Sequence, residues 1–130
     1  MARRRISSGG PWEASAGYSR AIVVGDACWV AGTTDAGPDG RARHPGDPAA
    51  QTRGALEVIG TALESAGFSL AHVVRVRTYV TSMTSATEVL AALADTFRAV
   101  RPAATIVEVA ALIEPSLAVE IEVDAVRDPG

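Results

Sequence analysis

The 130-residue chain contains no lysine and no asparagine, and all 12 of its basic residues are arginine. Without a lysine amine, the chain has no side chain for a Schiff base with a carbonyl substrate or for a covalent pyridoxal anchor. A single cysteine, Cys28, excludes a disulfide within the chain. The two histidines, His44 and His72, have no second ligand at the spacing of metal sites. We therefore expect no metal, no other cofactor and no histidine-based catalytic triad.

Long hydrophobic runs are also absent, because no segment approaches the roughly 18 apolar residues that a membrane-spanning helix needs. The basic start of the chain, Met1 to Arg5, is followed by no apolar stretch of the kind found in secretory signals. We expect no membrane partner and a cytoplasmic location. The net charge of −3 lacks the basic excess of nucleic-acid-binding proteins, so we expect no nucleic acid partner.

Length predicts one domain, since domains usually hold about 100–200 residues. Residues 1–16 are rich in glycine and serine, and we expect an irregular lead-in with a short edge strand at Arg4–Ser7. Residues 17–130 would form the single domain. It begins with two apolar runs, Ala21–Val24 and Cys28–Ala31, whose connection through Gly25 and Asp26 predicts a hairpin.

Two segments have the apolar spacing of amphipathic helices. The first begins with Asp47 as N-cap and Pro48 in its first turn, and Gly67 ends it. The second begins with the capping-box pair Ser85 and Glu88 and ends before Pro102. The remaining strands are predicted at Val73–Thr81, Thr105–Leu112 and Leu117–Val126. The order β-β-β-α-β-α-β-β predicts an α+β fold, a two-layer sandwich of a mixed six-stranded sheet with two helices on one face.

Polar side chains alternate with apolar ones in two of these strands, so they share one face of the sheet. They are Arg75, Arg77 and Tyr79 in one strand and Glu120, Glu122 and Asp124 in the other. The opposite, apolar face of the first of these strands would carry Val74, Val76, Thr78 and Val80. Rows of arginine and acid that oppose each other suit a face buried against another subunit, with charges paired across it. From the residues alone, a face exposed to solvent fits equally well.

The last quarter of the chain carries the most specific pattern. Pro102-Ala-Ala-Thr-Ile-Val-Glu-Val, the turn Glu114-Pro-Ser and the run Val119-Glu-Ile-Glu-Val resemble the C-terminal signature of the RidA/YjgF family of enamine/imine deaminases. The older label of that family is endoribonuclease L-PSP. Further motifs resemble those of the family in the same order, and they are Gly17-Tyr-Ser-Arg-Ala21, Trp29-Val-Ala-Gly32 and Ala50-Gln-Thr-Arg53. The resemblance extends from about residue 17 to residue 126.

This resemblance implies a chorismate mutase-like fold and a homotrimer with ligand-binding clefts between its subunits. It implies a small-molecule ligand and no cofactor. In the family reaction an enamine becomes an imine, water adds to the imine carbon, and ammonia leaves. Glu120 matches the glutamate that orients or deprotonates that water, and Tyr18 matches the tyrosine that stacks on the ligand. The backbone around Gly32, Thr105 and Ile106 would complete the cleft. The alternatives are a structural ion pair for Glu120 and a packing role for Tyr18.

One position departs from the family pattern, because Ala104 stands where the deaminases carry an arginine that binds the substrate carboxylate. Losing such a charge-assisted partner costs roughly 1.5–3 kcal/mol, or about tenfold to a hundredfold in affinity. Arg20 is the first candidate to replace it and Arg77 the second, and Arg101 precedes Pro102 nearby. For each of them a structural role fits better than replacement of the missing arginine. The chain would represent an arginine-lacking branch.

Three functions follow. The first is a RidA-like hydrolase of a small imine, enamine or related carbon–nitrogen compound other than free 2-aminoacrylate. The second is a non-catalytic trimer that binds a small ligand in the same cleft. The third, an endoribonuclease or translation inhibitor, fits least well, because the chain is acidic, lacks lysine and has no histidine placed for RNA cleavage.

Overall fold

Six strands form one sheet in a computed structural model that describes residues 2–128. The strands are β1 Arg3–Ile6, β2 Ala21–Val24, β3 Ala27–Thr33, β4 Val73–Val80, β5 Ala103–Glu108 and β6 Val119–Val126. The helices are α1 Glu13–Ala16, α2 Pro48–Ser65 and α3 Ala86–Phe97, with short 3₁₀ turns at Leu70–His72 and Met83–Ser85. The spatial order of the strands is β1-β2-β3-β6-β4-β5.

The sheet is mixed because β4 and β5 run parallel while every other neighbouring pair runs antiparallel. A parallel pair needs a crossover connection, and α3 supplies it. Helix α2 packs against α3, β3 and β6, so the long helices cover one face of the sheet. This confirms the predicted α+β sandwich, with the additional short helix α1. Among residues 2–128, no helix is both long and apolar enough to cross a bilayer.

The ends of α2 follow the sequence signals. The carboxylate of Asp47 accepts a hydrogen bond of 3.0 Å from the backbone N–H of Ala50. Gly67, just beyond the helix, has a φ of +84°, a conformation that glycine adopts without strain.

The capping box predicted at Ser85 was wrong. Ser85 itself has helical dihedrals, and its side chain makes no capping hydrogen bond. Instead, the 3₁₀ turn Met83–Ser85 leads directly into α3, and the Ser82 hydroxyl accepts from the backbone N–H of Thr84. The turn places the capping residue three positions earlier than the sequence motif indicates.

A β-bulge at the start of β4 changes which of its side chains face the helices. Val73 pairs with Ala125 and Arg75 pairs with Asp124, so β4 holds one more residue than β6 over this interval. Val73 is therefore buried, whereas Val74 is 46% exposed. The prediction that Val74 belongs to the apolar face was wrong for this reason. Val76, Thr78 and Val80 do face the helices and are buried.

The N-terminal segment is more regular than expected. Strand β1 pairs with β2 and begins one residue before the predicted edge strand. Helix α1, which composition did not indicate, follows at Glu13. Strand β5 begins at Ala103 and ends at Glu108, so the strand predicted at Thr105–Leu112 is displaced toward the N-terminus.

The buried side chain of Gln51 joins the two loops that border α2. Its Nε2 donates to the carbonyls of His44, at 3.1 Å, and of Ser116, at 3.0 Å. Its Oε1 accepts from the backbone N–H of Ala118 at 2.8 Å. Buried backbone groups need such partners, so Gln51 holds the loop after β3 against the entry to β6.

We expect Gln51→Leu to lower the free energy of unfolding by at least about 2 kcal/mol, because each buried polar group left without a partner costs roughly 1–3 kcal/mol. Urea denaturation of wild type and variant measures the change. Arg53→Ala, an exposed position on the same helix, is the matched control and should change stability by less than about 0.5 kcal/mol. Equal unfolding midpoints for wild type and Gln51→Leu would contradict the role assigned to this side chain.

Candidate functional site

A cleft of about 510 Å³ opens between the N-terminal segment, the end of β3 and the loop that follows β3. Four of the predicted site residues line it, and they are Tyr18, Arg20, Gly32 and Glu120. Trp12, Pro38, Arg43 and Ile113 also line it. None of this second group was identified from the sequence. Trp12 brings the N-terminal wall against the loop, since a Cβ on Gly40 would lie 3.0 Å from its ring.

A bulge near the end of β3 shapes the floor of this cleft. Val30 pairs with Val123 and Thr33 pairs with Ile121, so β3 again holds one extra residue. Val30 and Thr33 are both buried, and the bulge places the backbone of Ala31 and Gly32 on the cleft side. A bulge of this kind redirects a strand locally, often next to a functional site.

Gly32 lies directly under the carboxylate of Glu120. A Cβ at position 32 would come within 2.9 Å of Glu120 Cδ and closer still to Oε2. Cβ atoms essentially never lie within 3.0 Å of another heavy atom, so any other residue at position 32 would displace the Glu120 carboxylate. The glycine thus leaves space for the carboxylate in its present position and is not needed for turn geometry.

Glu120 points from β6 into the cleft because apolar and acidic residues alternate along that strand. Burial raises the pKa of Glu120, the negative charge of Glu122 raises it further, and Arg20 lowers it. A raised pKa makes the ionised carboxylate a stronger base. Glu120 is therefore suited to accept a proton from a water molecule in the cleft.

Arg20 is buried, and its guanidinium is built into the wall of the cleft. Nη1 donates to the carbonyl of Gly32 at 2.7 Å and to Oγ1 of Thr33 at 2.8 Å. Nη2 donates to the hydroxyl of Tyr18 at 3.3 Å, and Nε lies 3.6 Å from Oε2 of Glu13. These contacts support the structural alternative for Arg20 over a role as the missing carboxylate-binding arginine.

Glu13, the acid beside Arg20, fixes the N-terminal wall. Its carboxylate accepts from the Ser7 hydroxyl at 2.9 Å, from the backbone N–H of Gly10 at 3.1 Å, and from Ser8. Burial by itself raises the pKa of Glu13, but the hydrogen bonds from Ser8, Ser7 and Gly10 outweigh it and lower the pKa overall. Sequence reasoning missed this residue. The only signal was a lone acid in an otherwise basic N-terminal segment.

Arg77 lies on the open face of the sheet, outside the cleft lining. Its Nη1 is 3.6 Å from Oδ2 of Asp124 and 3.9 Å from Oε2 of Glu122. The hydroxyl of Tyr79 donates to the same Glu122. The register pairs Arg77 with Glu122, which confirms the opposed rows of arginine and acid. Arg77 is thus engaged in ion pairs within its own sheet.

Ala104, Thr105 and Ile106 lie on β5, at the outer edge of the sheet. Each pairs only with β4, and β4 separates them from Glu120 on β6. In a single chain they are not part of the cleft. Their contribution to a site would have to come through contact with another copy of the chain.

The histidines make local contacts. Nδ1 of His44 is 3.0 Å from Oδ2 of the buried Asp35, and Nδ1 of His72 accepts from the backbone N–H of Ser69. Within the described residues, no group of three or more His, Cys, Asp or Glu side chains is arranged to hold a metal ion. The polar groups that line the cleft include a carboxylate, a phenol, two guanidinium ions, the hydroxyls of Ser8, Thr33 and Thr34, and backbone, and such groups can bind a small polar ligand and move protons.

Comparisons with known proteins agree on the family. The family model described as Endoribonuclease L-PSP matches residues 11–127. The protein SCO2049 of Streptomyces coelicolor is 36% identical over 124 residues, which cover 95% of this chain and 92% of that protein. The RutC family protein PH0854 of Pyrococcus horikoshii is 35% identical over 111 residues, covering 85% of this chain and 87% of that protein.

Solved structures give the same result. Rv2704 of Mycobacterium tuberculosis, described as a member of the YjgF/YER057c/UK114 family, has a TM-score of 0.88 and 47% identity, covering 97% of this chain and all of that one. The YjgF gene product of Escherichia coli has a TM-score of 0.84 and 28% identity, covering 96% of this chain and 99% of that one. With a family model that spans most of its length and relatives above 30% identity along nearly all of it, the chain belongs to the RidA/YjgF family, also described as endoribonuclease L-PSP.

Proposed function

We propose that the protein is a RidA-like hydrolase that acts on a small imine, enamine or related carbon–nitrogen compound. The observation that carries the proposal is the carboxylate of Glu120, which packs against the backbone of Gly32 and has a raised pKa. Tyr18 lines the same cleft and offers an aromatic face for a planar ligand.

The proposed chemistry uses Glu120 as a general base. Its carboxylate takes a proton from water while the water oxygen bonds to the imine carbon. Protonated Glu120 gives this proton to the imine nitrogen, which becomes an amine on a tetrahedral carbon that carries the new hydroxyl. Glu120 then takes the hydroxyl proton and passes it to the amine nitrogen as the carbon–nitrogen bond breaks, so that ammonia leaves a carbonyl compound. Glu120 ends in its starting state, so the cycle needs no cofactor.

A homotrimer is the second part of the proposal, and the open sheet face supports it. This face carries ion pairs of Arg77 with Glu122 and Asp124, and beside them Trp29 and Val107 are 47% and 40% exposed. Family resemblance favours three copies, with Tyr18, Gly32 and Glu120 at a subunit boundary beside Thr105 and Ile106 of a neighbouring copy.

Ala104 is the observation that favours the second candidate, a trimer that binds a ligand without turning it over. Alanine offers no donor where the deaminases hold the substrate carboxylate, so the cleft can retain binding after losing the reaction. Endoribonuclease activity has less support, because the net charge is −3 and both histidines are bonded to neighbours. The cytoplasmic location stays a prediction.

We expect wild-type protein to accelerate ammonia release from one or more small imines, and Glu120→Gln to slow this release by about a hundredfold or more, because general-base catalysis contributes roughly 10²–10⁴-fold. Glu88→Gln, an exposed glutamate on α3, is the matched control and should keep full activity. If no imine in a broad panel is hydrolysed while ligands still bind, the non-catalytic alternative is correct.

Free 2-aminoacrylate is the contrasting substrate in the same assay. We expect little or no acceleration by wild type, and a limited gain with Ala104→Arg, because the neighbouring groups are not arranged to position that side chain. Production of pyruvate or ammonia from an aminoacrylate source reports the rate. Wild-type activity equal to that of an arginine-bearing family member would show that another residue binds the carboxylate.

We expect light scattering at micromolar concentration to give three times the mass of the 13.4 kDa chain. Val107→Arg should reduce the mass, because it places a charge on the open face beside Tyr79, with which Val107 pairs. Leu90→Arg changes a residue of similar exposure on the helical side and should leave the mass unchanged. A monomer mass for wild type would refute the trimer.

We expect Glu120→Gln to raise the melting temperature at pH 7. Because the pKa of Glu120 is higher in the folded state than in the unfolded state, folding favours the protonated carboxyl. As pH rises through the folded-state pKa, Glu120 ionises and the fold loses this stability. Removing the charge removes that penalty, so the difference from wild type should vanish below about pH 4, where the wild-type group is neutral in both states. A variant that melts below wild type at pH 7 would contradict this.

A further inference from the structure

Three charged side chains line the cleft, and only one of them is left for a ligand. They are Arg20, Glu120 and Arg43. Arg20 is bonded to Gly32 and Thr33 and lies beside Glu13, which offsets its charge. Glu120 is the acid that the proposed reaction uses. Arg43 is exposed and, within residues 2–128, its guanidinium has no hydrogen-bond or ion-pair partner.

Hydrogen bonds fix the backbone around Arg43, whereas its guanidinium has no bonding partner within residues 2–128. Its N–H donates to the carbonyl of Asp35 at 3.0 Å, and the next residue, His44, donates to the Asp35 carboxylate at 2.8 Å. The neighbouring residues Ala36 and Ala42 form a β-bridge across the loop. The stem of Arg43 runs beside Gly37, where a Cβ would lie 3.7 Å from its Cγ. The guanidinium is therefore presented from a fixed point on the loop wall.

Asp35, which anchors Arg43, is itself fixed by α2. It is buried, and a Cβ on Gly54 would come within 2.9 Å of its Cγ. Helix and loop are thus in direct contact through this carboxylate. A cation held in this way loses less conformational freedom when it binds an anion than one on a mobile loop.

We infer that Arg43 is the specificity-determining residue of the cleft, and that it binds a carboxylate of the ligand. A guanidinium pairs with a carboxylate through two parallel hydrogen bonds, which Ala104 cannot offer. Arg43 belongs to the loop after β3 and lines the same cleft as Glu120. The ligand carboxylate is thus held at the loop wall rather than at position 104. This inference rests on the proposed use of the cleft, and it names the class of ligand.

Calorimetric titration with two keto acids, 2-oxobutanoate and 4-oxopentanoate, tests the inference. At least one should bind wild type, and Arg43→Gln should weaken that binding about tenfold, the lower end of what a charge-assisted hydrogen bond contributes. Arg43→Lys should keep part of the affinity, because it retains the charge and loses the paired donors. The methyl ester of the bound acid should bind wild type as weakly as the acid binds Arg43→Gln.

Arg41→Gln is the matched control, since Arg41 is exposed on the same loop and does not line the cleft. It should change the affinity by less than about twofold. Added salt should weaken binding to wild type more than binding to Arg43→Gln, because salt screens exposed charges. The inference is overturned if neither acid binds, if Arg43→Gln binds like wild type, if Arg41→Gln weakens binding equally, or if the ester binds wild type as well as the acid does.

These measurements are independent of turnover. Binding that depends on Arg43, combined with no ammonia release from any imine, supports the inference and refutes the hydrolase. Ammonia release that is unaffected by Arg43→Gln, combined with binding that is equally unaffected, supports the hydrolase and refutes the inference.

Discussion

The buried contact between Arg20 and Glu13 is the interaction on which the cleft depends. Removing two charges from water costs several kcal/mol for each ion unless hydrogen bonds replace the lost solvent. Arg20 meets this condition at its two terminal nitrogens through Gly32, Thr33 and Tyr18, whereas its buried Nε has no hydrogen-bond partner within residues 2–128 and lies 3.6 Å from Glu13. Glu13 meets the condition through the serine and glycine residues of the N-terminal segment. Since the two sets of bonds belong to different walls, the ion pair sets the distance between them. The cleft floor at Gly32, the side chain of Tyr18 and the N-terminal segment are therefore one connected structure.

The regular elements were predictable because their patterns are local. Alternation in β6 and the capping residue Asp47 depend on neighbours in the sequence, and both were confirmed. The exposure of Val74 was not predictable, because a bulge depends on how β4 pairs with β6. Ser85 shows the same limit, since the turn before α3 moved the capping residue.

The residues of the candidate site also divide into those that sequence motifs identified and those whose contacts only the structure shows. Tyr18, Gly32 and Glu120 were identified through motifs of the family, and they do line one cleft. Arg20 and Arg77 were chosen as replacements because of their positions in the sequence, and both are occupied by contacts that sequence alone does not reveal. Arg43 was missed because it belongs to a loop without periodicity, where only the anchoring by Asp35 brings it to the cleft.

Because the loop after β3 is anchored at both ends, changes to the lining of the cleft can be separated from changes to the folded core. Asp35 seats one end of the loop on α2 at Gly54, and Gln51 and Asp47 fix the other end near the start of the same helix. Between these fixed points, Arg43 contributes a side chain to the cleft that supports neither the sheet nor the helix. Under the role proposed for Arg43, a substitution there alters which ligand the cleft accepts while the folded core stays as it is. In a loop anchored in this way, the ligand preference of the cleft can change at little cost in stability.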